Sequence, residues 1–361
     1  GQRNRQKQLS RILLALLLVL SAGCSTEFEQ FGEFSIKSLG SGYKEITDGA
    51  GRRLLLVPRG ERDLKGYEKV RAIQVPVRRV VVYSTYNTAL IKELGHVNTI
   101  VGVIKEERYW HIAEIVDGLR NGTVSYLGQY SSVDYEKIRE LRPDVVFTWD
   151  ESIVPKLKEL SIPCVITSTK IAKDLASHIN FIRFLAAFYC EEQRARSFAD
   201  AQFRKIEGIS ARLKNVKNAP KVVWGDIYER KVLVEPGNSW AGQVVEKAGG
   251  HYLFQDLEGA SCMQVTVEKF FSRTKNADIL ITYRGPEAGI RSKEMLLKSS
   301  RLLQTLEIKP MNEGKIYFTG YKLYQTADIA GVIEELASLF YPEFFRGKKR
   351  KVRYFFQLPY K

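Results

Sequence analysis

The sequence predicts an α/β chain of two Rossmann-like lobes joined by one long, rigid α-helix. Three observations predict it. From Arg79 onward, strand-type apolar runs alternate with helix-type periodic segments, the order that produces parallel sheets covered by helices. This alternation occurs twice, and the second set echoes the first. Between the two sets lies a helical stretch, about residues 171–214, that is apolar on more than one face, as a helix buried on more than one side must be.

The N-terminal end reads as an export signal. Arg3, Arg5, Lys7 and Arg11 precede an apolar run, Ile12 to Leu20, and then Ser21-Ala22-Gly23-Cys24. A basic start, a short apolar core and small residues before a cut site make a secretory signal; the run is too short to span a bilayer as a helix. Small residues directly before a cysteine resemble a bacterial lipobox, with Ser21 where leucine is usual. The resemblance implies a signal peptide over residues 1–23, acylation of Cys24 and a lipid tether to a membrane of the cell envelope, facing the periplasm.

Residues 24–72 read as a lead-in of short strands and turns, punctuated by Gly40, Gly42, Gly49, Gly51 and Gly60. The N-terminal lobe, residues 73–169, follows. Val80-Val-Val-Tyr83 is a buried-type strand, a helix runs through Leu90 to Leu94 and stops at Gly95, and Thr99 to Ile104 forms the next strand. A helix from Asp134 leads to the strand Pro143-Asp-Val-Val-Phe-Thr-Trp149, and a further helix to Pro163-Cys-Val-Ile-Thr167. Linking helices cover residues 170–215. Ile171, Leu175, Ile179, Ile182, Ala186 and Tyr189 form one apolar stripe, and Phe181, Phe184, Leu185 and Phe188 a second. Roughly twenty helical residues would span about 30 Å, a strut against both lobes. Glu191 marks a turn into a second, exposed helix.

The C-terminal lobe, residues 216–345, opens at Lys221-Val-Val-Trp224 and ends in a helix from Ala327 to Phe340, stopped by Pro342. It carries the echo: Glu136-Lys137-Ile138 and Glu268-Lys269-Phe270 each open a helix, and Pro143-Asp-Val-Val-Phe-Thr-Trp149 matches Ala277-Asp-Ile-Leu-Ile-Thr-Tyr283. A basic tail, residues 346–361, closes the chain.

Charge and composition exclude several classes. The net charge of +15 is concentrated at the two ends: residues 1–23 hold four basic residues, and Arg346 to Arg353 hold six. An exported protein with a mildly basic middle is not expected to bind nucleic acid. Cys164, Cys190 and Cys262 are odd in number and far apart, against a disulfide framework or a zinc site. His96, His111, His178 and His251 show no metal-ligand spacing, and neither a glycine-rich phosphate loop nor a Gly-x-Ser-x-Gly elbow is present. No metal site and no enzymatic activity are expected.

In this setting several segments gain meaning. Arg79 to Thr85 followed by Leu94-Gly95 and Ile100 to Val103, Tyr135-Glu-Lys-Ile-Arg-Glu-Leu-Arg-Pro-Asp-Val-Val146, Ala248 to Phe254 and Gly314 to Phe318 together resemble the substrate-binding proteins of iron–siderophore, haem and vitamin B12 importers of the ATP-binding-cassette class. The likeness covers about residues 75–345, and the ends of the chain resemble an iron-complex subgroup from Bacteroides-type bacteria. The resemblance implies a monomer that takes a small-molecule iron chelate into a cleft between the lobes and delivers it to an inner-membrane permease. It further implies that Glu136 and Glu268, one per lobe, dock on that permease, and that Tyr130 stacks on ligand, with Cys262 at the matching place in the second lobe.

Strand ends supply the remaining candidates, because open parallel sheets bind ligands beyond their carboxyl ends. The first lobe offers Tyr86, Arg108, Tyr109, Trp110, Tyr130 and Trp149; the second offers Tyr228, Arg230, Trp240, Tyr283, Arg284 and Tyr321. Aromatic rings with guanidinium groups suit a planar or aryl-bearing anionic ligand. Arg108-Tyr109-Trp110 and Tyr283-Arg284 are the leading pairs. An intact ferric chelate of siderophore type is expected first, with haem or a corrinoid as the alternative, or a ligand sensor that uses the same cleft without transport. Nothing is expected to be bound covalently as a cofactor.

Overall fold

A computed structural model describes residues 27–228, 230–305, 307–347 and 351–359. The export signal, Cys24 and part of the basic tail lie outside the described residues. The described residues form three sheets around the linking helices, not two lobes alone.

The first sheet arises from the segment read as a lead-in. Strands β1 (Phe28–Phe31), β2 (Phe34–Gly40), β3 (Tyr43–Thr47), β4 (Arg53–Pro58) and β5 (Arg71–Val75) pair in sequence order, antiparallel except for the parallel β4–β5 pair. Ser41 (φ 54°) and Gly42 (φ 82°) make the β2–β3 turn; two left-handed residues match the twist of the flanking strands. The buried face of the sheet is a packed layer: the Phe34 ring lies 4.9 Å from both Phe181 and Phe184 of the linking helix.

The N-terminal lobe is all parallel. Strands β6 (Val80–Val82), β7 (Ile100–Val103), β8 (Ser125–Tyr126), β9 (Val145–Thr148) and β10 (Cys164–Ile166) stand in the order β10-β9-β6-β7-β8. In the C-terminal lobe the sheet is mixed, where a parallel sheet was expected. It comprises β11 (Lys221–Tyr228), β12 (Lys231–Val234), β13 (His251–Tyr252), β14 (Met263–Val265), β15 (Ile279–Thr282), β16 (Ile316–Thr319) and β17 (Phe355–Gln357). The order is β14-β12-β11-β15-β16-β17 with β13 beside β11. β12 folds back on β11, β14 on β12 and β17 on β16, all antiparallel.

The echo between the lobes has a physical basis. Asp144 accepts hydrogen bonds from the backbone of Arg78 and Arg79 (2.6 and 3.1 Å) just before β6, and Asp278 accepts one from Lys221 N (2.8 Å) at the start of β11. Each aspartate ties the strand it precedes to the first strand of its lobe. The helices before these strands, Tyr135–Leu141 and Val267–Thr274, are capped alike by Asp134 (2.9 Å to Lys137 N) and Thr266 (3.2 Å to Lys269 N). Such caps satisfy N–H groups that have no partner within the helix.

The linking segment differs in length from expectation. Its first helix is Leu175–Ala186, 12 residues, or about 18 Å at 1.5 Å per residue. Ile171 lies before it and is 61% exposed; Phe188 and Tyr189 lie in the turn after it, yet are fully buried. The longer helix is the second, Glu192–Arg212, 21 residues, and it is buried along Ala195, Ala199, Gln202, Ile206 and Ile209. Gln202 donates to Asp328 (3.1 Å) and accepts from Ala330 N (2.8 Å), joining this helix to the start of the helix Ile329–Phe340. One hydrophobic core runs through the first sheet, both lobes and the linking helices. The last strand is held by the buried carboxylate of Glu335, which accepts from the backbone N–H groups of Arg353, Tyr354 and Phe355 at 2.7, 2.8 and 2.8 Å.

Candidate functional site

A cleft of about 690 Å³ opens between the lobes, where the carboxyl ends of both sheets face each other. Its size lies within the range of small-molecule sites, about 300–1,000 Å³. In the first lobe, β6 is followed by Tyr83 and Ser84. Ser84 Oγ caps the nine-residue helix Thr85–Glu93 by accepting from Asn87 N (3.2 Å), which brings Tyr86 and Asn87 to the cleft. β9 delivers Trp149, and β10 delivers Thr167 and Ser168. In the second lobe, β12 delivers Glu235, β15 delivers Tyr283, and the turn after β16 delivers Tyr321 and Tyr324. Ser239 caps the helix Trp240–Lys247 and sets Trp240 at its first position.

Three stacked rings join the walls. His178, on the linking helix, lies 3.9 Å from the Tyr86 ring at 7° and 4.5 Å from the Trp240 ring at 5°. Tyr86 OH donates to the backbone oxygen of His178 (2.7 Å). Burial, and then the nearby Lys173, hold His178 well below its ordinary pKa, so the ring is neutral.

On the C-terminal wall, Glu235 is the one acidic residue among the described residues lining the cleft. Tyr283 OH donates to its Oε1, and Cys262 Sγ lies 3.4 Å from the same oxygen and 2.9 Å from the Tyr283 hydroxyl. Burial raises the Glu235 pKa against the lowering pull of those hydrogen bonds. The Cys262 thiol is pushed up to about 12, by burial first and then by Glu235. A thiol in that state is a poor nucleophile. With iodoacetamide at pH 8, the exposed Cys190 is therefore expected to react while Cys262 stays intact until denaturant is added. Peptide mapping checks this, and rapid native alkylation of Cys262 would contradict it.

Six of the residues singled out from the sequence line the cleft: Tyr86, Tyr109, Trp149, Trp240, Tyr283 and Tyr321. The other six lie elsewhere. Tyr130 is 55% exposed with its ring 4.9 Å from that of Trp149, on the rim. Arg108 is exposed, paired with Glu106 (3.1 Å) and stacked over Tyr109 (4.7 Å). Trp110 is buried inside the lobe, donating Nε1 to Lys105 O (3.0 Å). Arg284 is occupied by a carboxylate of its own lobe: Nε and Nη2 reach Asp226 at 2.7 and 2.9 Å, and Nη2 also reaches Ile227 O at 2.9 Å. Tyr228 lies under that guanidinium at 4.8 Å, and Arg230 is exposed just beyond β11. The expected fork of arginines toward an anion is thus absent from the described lining; lysines 105 and 173 supply its cationic groups instead. Lys173, Glu235, Ser239 and Gln325 were not anticipated. Glu235, directly after an apolar strand, could have been found by the strand-end rule; Lys173, in a loop, carries no sequence signal.

Among the described residues no group of three His, Cys, Asp or Glu is placed to hold a metal ion, and no helix is long and apolar enough to cross a membrane.

Against known proteins, residues 80–320 match the family model described as periplasmic binding protein. The chain belongs to that family. This periplasmic binding protein is accordingly a ligand-binding protein rather than an enzyme. It is 26% identical over 337 residues to a lipoprotein of Methanocaldococcus jannaschii, covering 85% of this chain and 77% of the relative. It is 23% identical to a vitamin B12-binding protein of Vibrio parahaemolyticus, covering 58% of this chain and 72% of that one. In three dimensions it resembles the S. aureus protein IsdE complexed with haem, with a TM-score of 0.58 and 20% identity over 73% of this chain and 98% of that one. It also resembles the TroA-like periplasmic binding protein FepB of Veillonella parvula, with a TM-score of 0.53 and 20% identity over 85% and 92%.

Proposed function

We propose that this chain is the binding component of an ATP-binding-cassette importer for ligands of the haem, iron-complex or vitamin B12 kind. It is tethered in the cell envelope through Cys24, captures an intact metal chelate of ferric-siderophore type between its lobes, and delivers it to a membrane permease engaged by Glu136 and Glu268. The observation that carries this reading is the stacked Tyr86–His178–Trp240 rings, which share with Trp149, Tyr283 and Tyr321 the lining of a cleft of about 690 Å³. Aromatic faces supply contact area to a bulky aryl-bearing or macrocyclic ligand at little entropic cost, and two lysines favour a modest negative charge. The lipoprotein and vitamin B12-binding relatives support the same class.

A second reading, capture of a corrinoid or haem, is favoured by the lack of arginine in the described lining. A highly charged chelate would be poorly compensated there, whereas a macrocycle with no more than two peripheral carboxylates needs little beyond rings, hydroxyl groups and the two lysines.

Titration of the form lacking residues 1–24 against ferric catecholate, ferric hydroxamate, ferric citrate, haem and cobalamin separates these readings. Trp149 and Trp240 line the cleft, so saturable quenching of tryptophan fluorescence by a ferric chelate is the expected result. Binding of cobalamin or haem alone selects the second reading, and no binding across the panel removes both.

A further inference from the structure

Lys173 stands in the loop between β10 and the helix Leu175–Ala186 and lines the cleft. Its ammonium donates to Thr167 O (2.7 Å) and lies 4.1 Å from the Phe181 ring and 5.1 Å from the Phe34 ring, both fully buried. Among the described residues it forms no ion pair, whereas several other inward-facing cations are paired. Arg284 is held by Asp226, Arg183 by Glu29 (2.5 Å) and Arg52 by Asp48 (3.3 Å). The acid of the described cleft lining, Glu235, is engaged by Tyr283, Cys262 and Ser239. A half-buried cation balanced only by ring faces and one carbonyl is costly, and burial lowers the Lys173 pKa to about 7.

A second observation lies in the same cleft. Asn87 is 2% exposed, and its Nδ2 has no hydrogen-bond partner. It sits in the first turn of the helix Thr85–Glu93, whose N-terminal end favours negative charge. The N-terminal lobe and the loop leading to the linking helix therefore present unused donors, while the C-terminal wall presents the acid.

We propose that Lys173 is the counter-ion for a carboxylate carried by the ligand, so that the chelate binds with its acidic edge toward the linking helix and its neutral face toward Glu235 and Tyr283. This rests on the chelate-binding reading and narrows it to carboxylate-bearing chelates. The bound carboxylate takes an ammonium hydrogen that has no partner among the described residues and keeps the lysine charged.

The test titrates the soluble form, and its K173M and K173R variants, with two carboxylate-bearing probes, haem and ferric citrate, and two probes lacking a free carboxylate, haem dimethyl ester and a ferric hydroxamate. Thermal melts establish that both variants fold. The expected result is that the tightest probe carries free carboxylates, that K173M weakens it by about tenfold or more, and that K173R retains most of the affinity. Tightest binding by a probe without a carboxylate overturns the inference, as does unchanged affinity in K173M. In either case the chelate reading stands, because a chelate has bound; failure of all four probes overturns the inference and leaves the chelate reading to the catecholate and cobalamin titrations.

Discussion

Replacing Phe184 by alanine is expected to lower the free energy of unfolding by about 3–5 kcal/mol. The side chain is fully buried, with ring centroids 4.9 Å from Phe34, 5.5 Å from Phe181 and 5.7 Å from Phe188. Phe188 in turn lies 5.0 Å from Phe147 in β9. The cavity would thus open where the first sheet, the linking helix and the N-terminal lobe meet, and backbone elements on three sides limit collapse into it. Urea melts provide the measurement: the midpoint should fall with little change in slope. Ile171→Ala, at the exposed residue before the helix, should change stability by no more than about 0.5 kcal/mol. Equal effects of the two substitutions would mean that this ring cluster does not hold the units together. The same packing argues that the lobes move little on ligand capture, because a hinge there would have to break a continuous core.

Much of this architecture was legible in the sequence because its signals are local. Asp144 and Asp278 announce their strands, since each caps the start of a neighbouring strand in the same lobe. Gly95, at φ +86°, ends the helix after β6 where it must. What was not legible depends on distant partners. The strands of the first sheet alternate and turn as a tether of short hairpins would; only Phe181 and Phe184, far along the chain, make them a packed layer. Arg284 has the chemistry of an anion-binding fork, but Asp226, on the adjacent strand, claims it. Trp110 follows Tyr109 in sequence and points the opposite way, so one lines the cleft and the other supports it. Strand-end reasoning finds the neighbourhood of a site, whereas the direction of each side chain is set by contacts that no spacing encodes.

Under the proposed transport role, the double substitution Glu136→Ala with Glu268→Ala is expected to abolish uptake while leaving ligand affinity unchanged. Each glutamate is the second residue of its helix, directly after a capped start, and both are exposed. Neither lines the cleft. Among the described residues Glu136 pairs only with Arg139 of its own helix (2.7 Å, both side chains more than half exposed), a contact worth little in water. Loss of either carboxylate should cost stability no more than about 1 kcal/mol, the scale of a helix-dipole contribution. The repeat places one acidic group at the same point of each lobe, so a permease with two basic patches would be oriented by both and held weakly by one. Charges arranged in this way set orientation and encounter rate more than affinity; single variants should therefore slow uptake and the pair should stop it. Accumulation of the chelate in cells carrying the anchored protein, read beside fluorescence titration of the soluble form, separates the two roles. Normal uptake by the double variant would exclude these residues from docking, and weakened chelate binding would place them in the capture step instead.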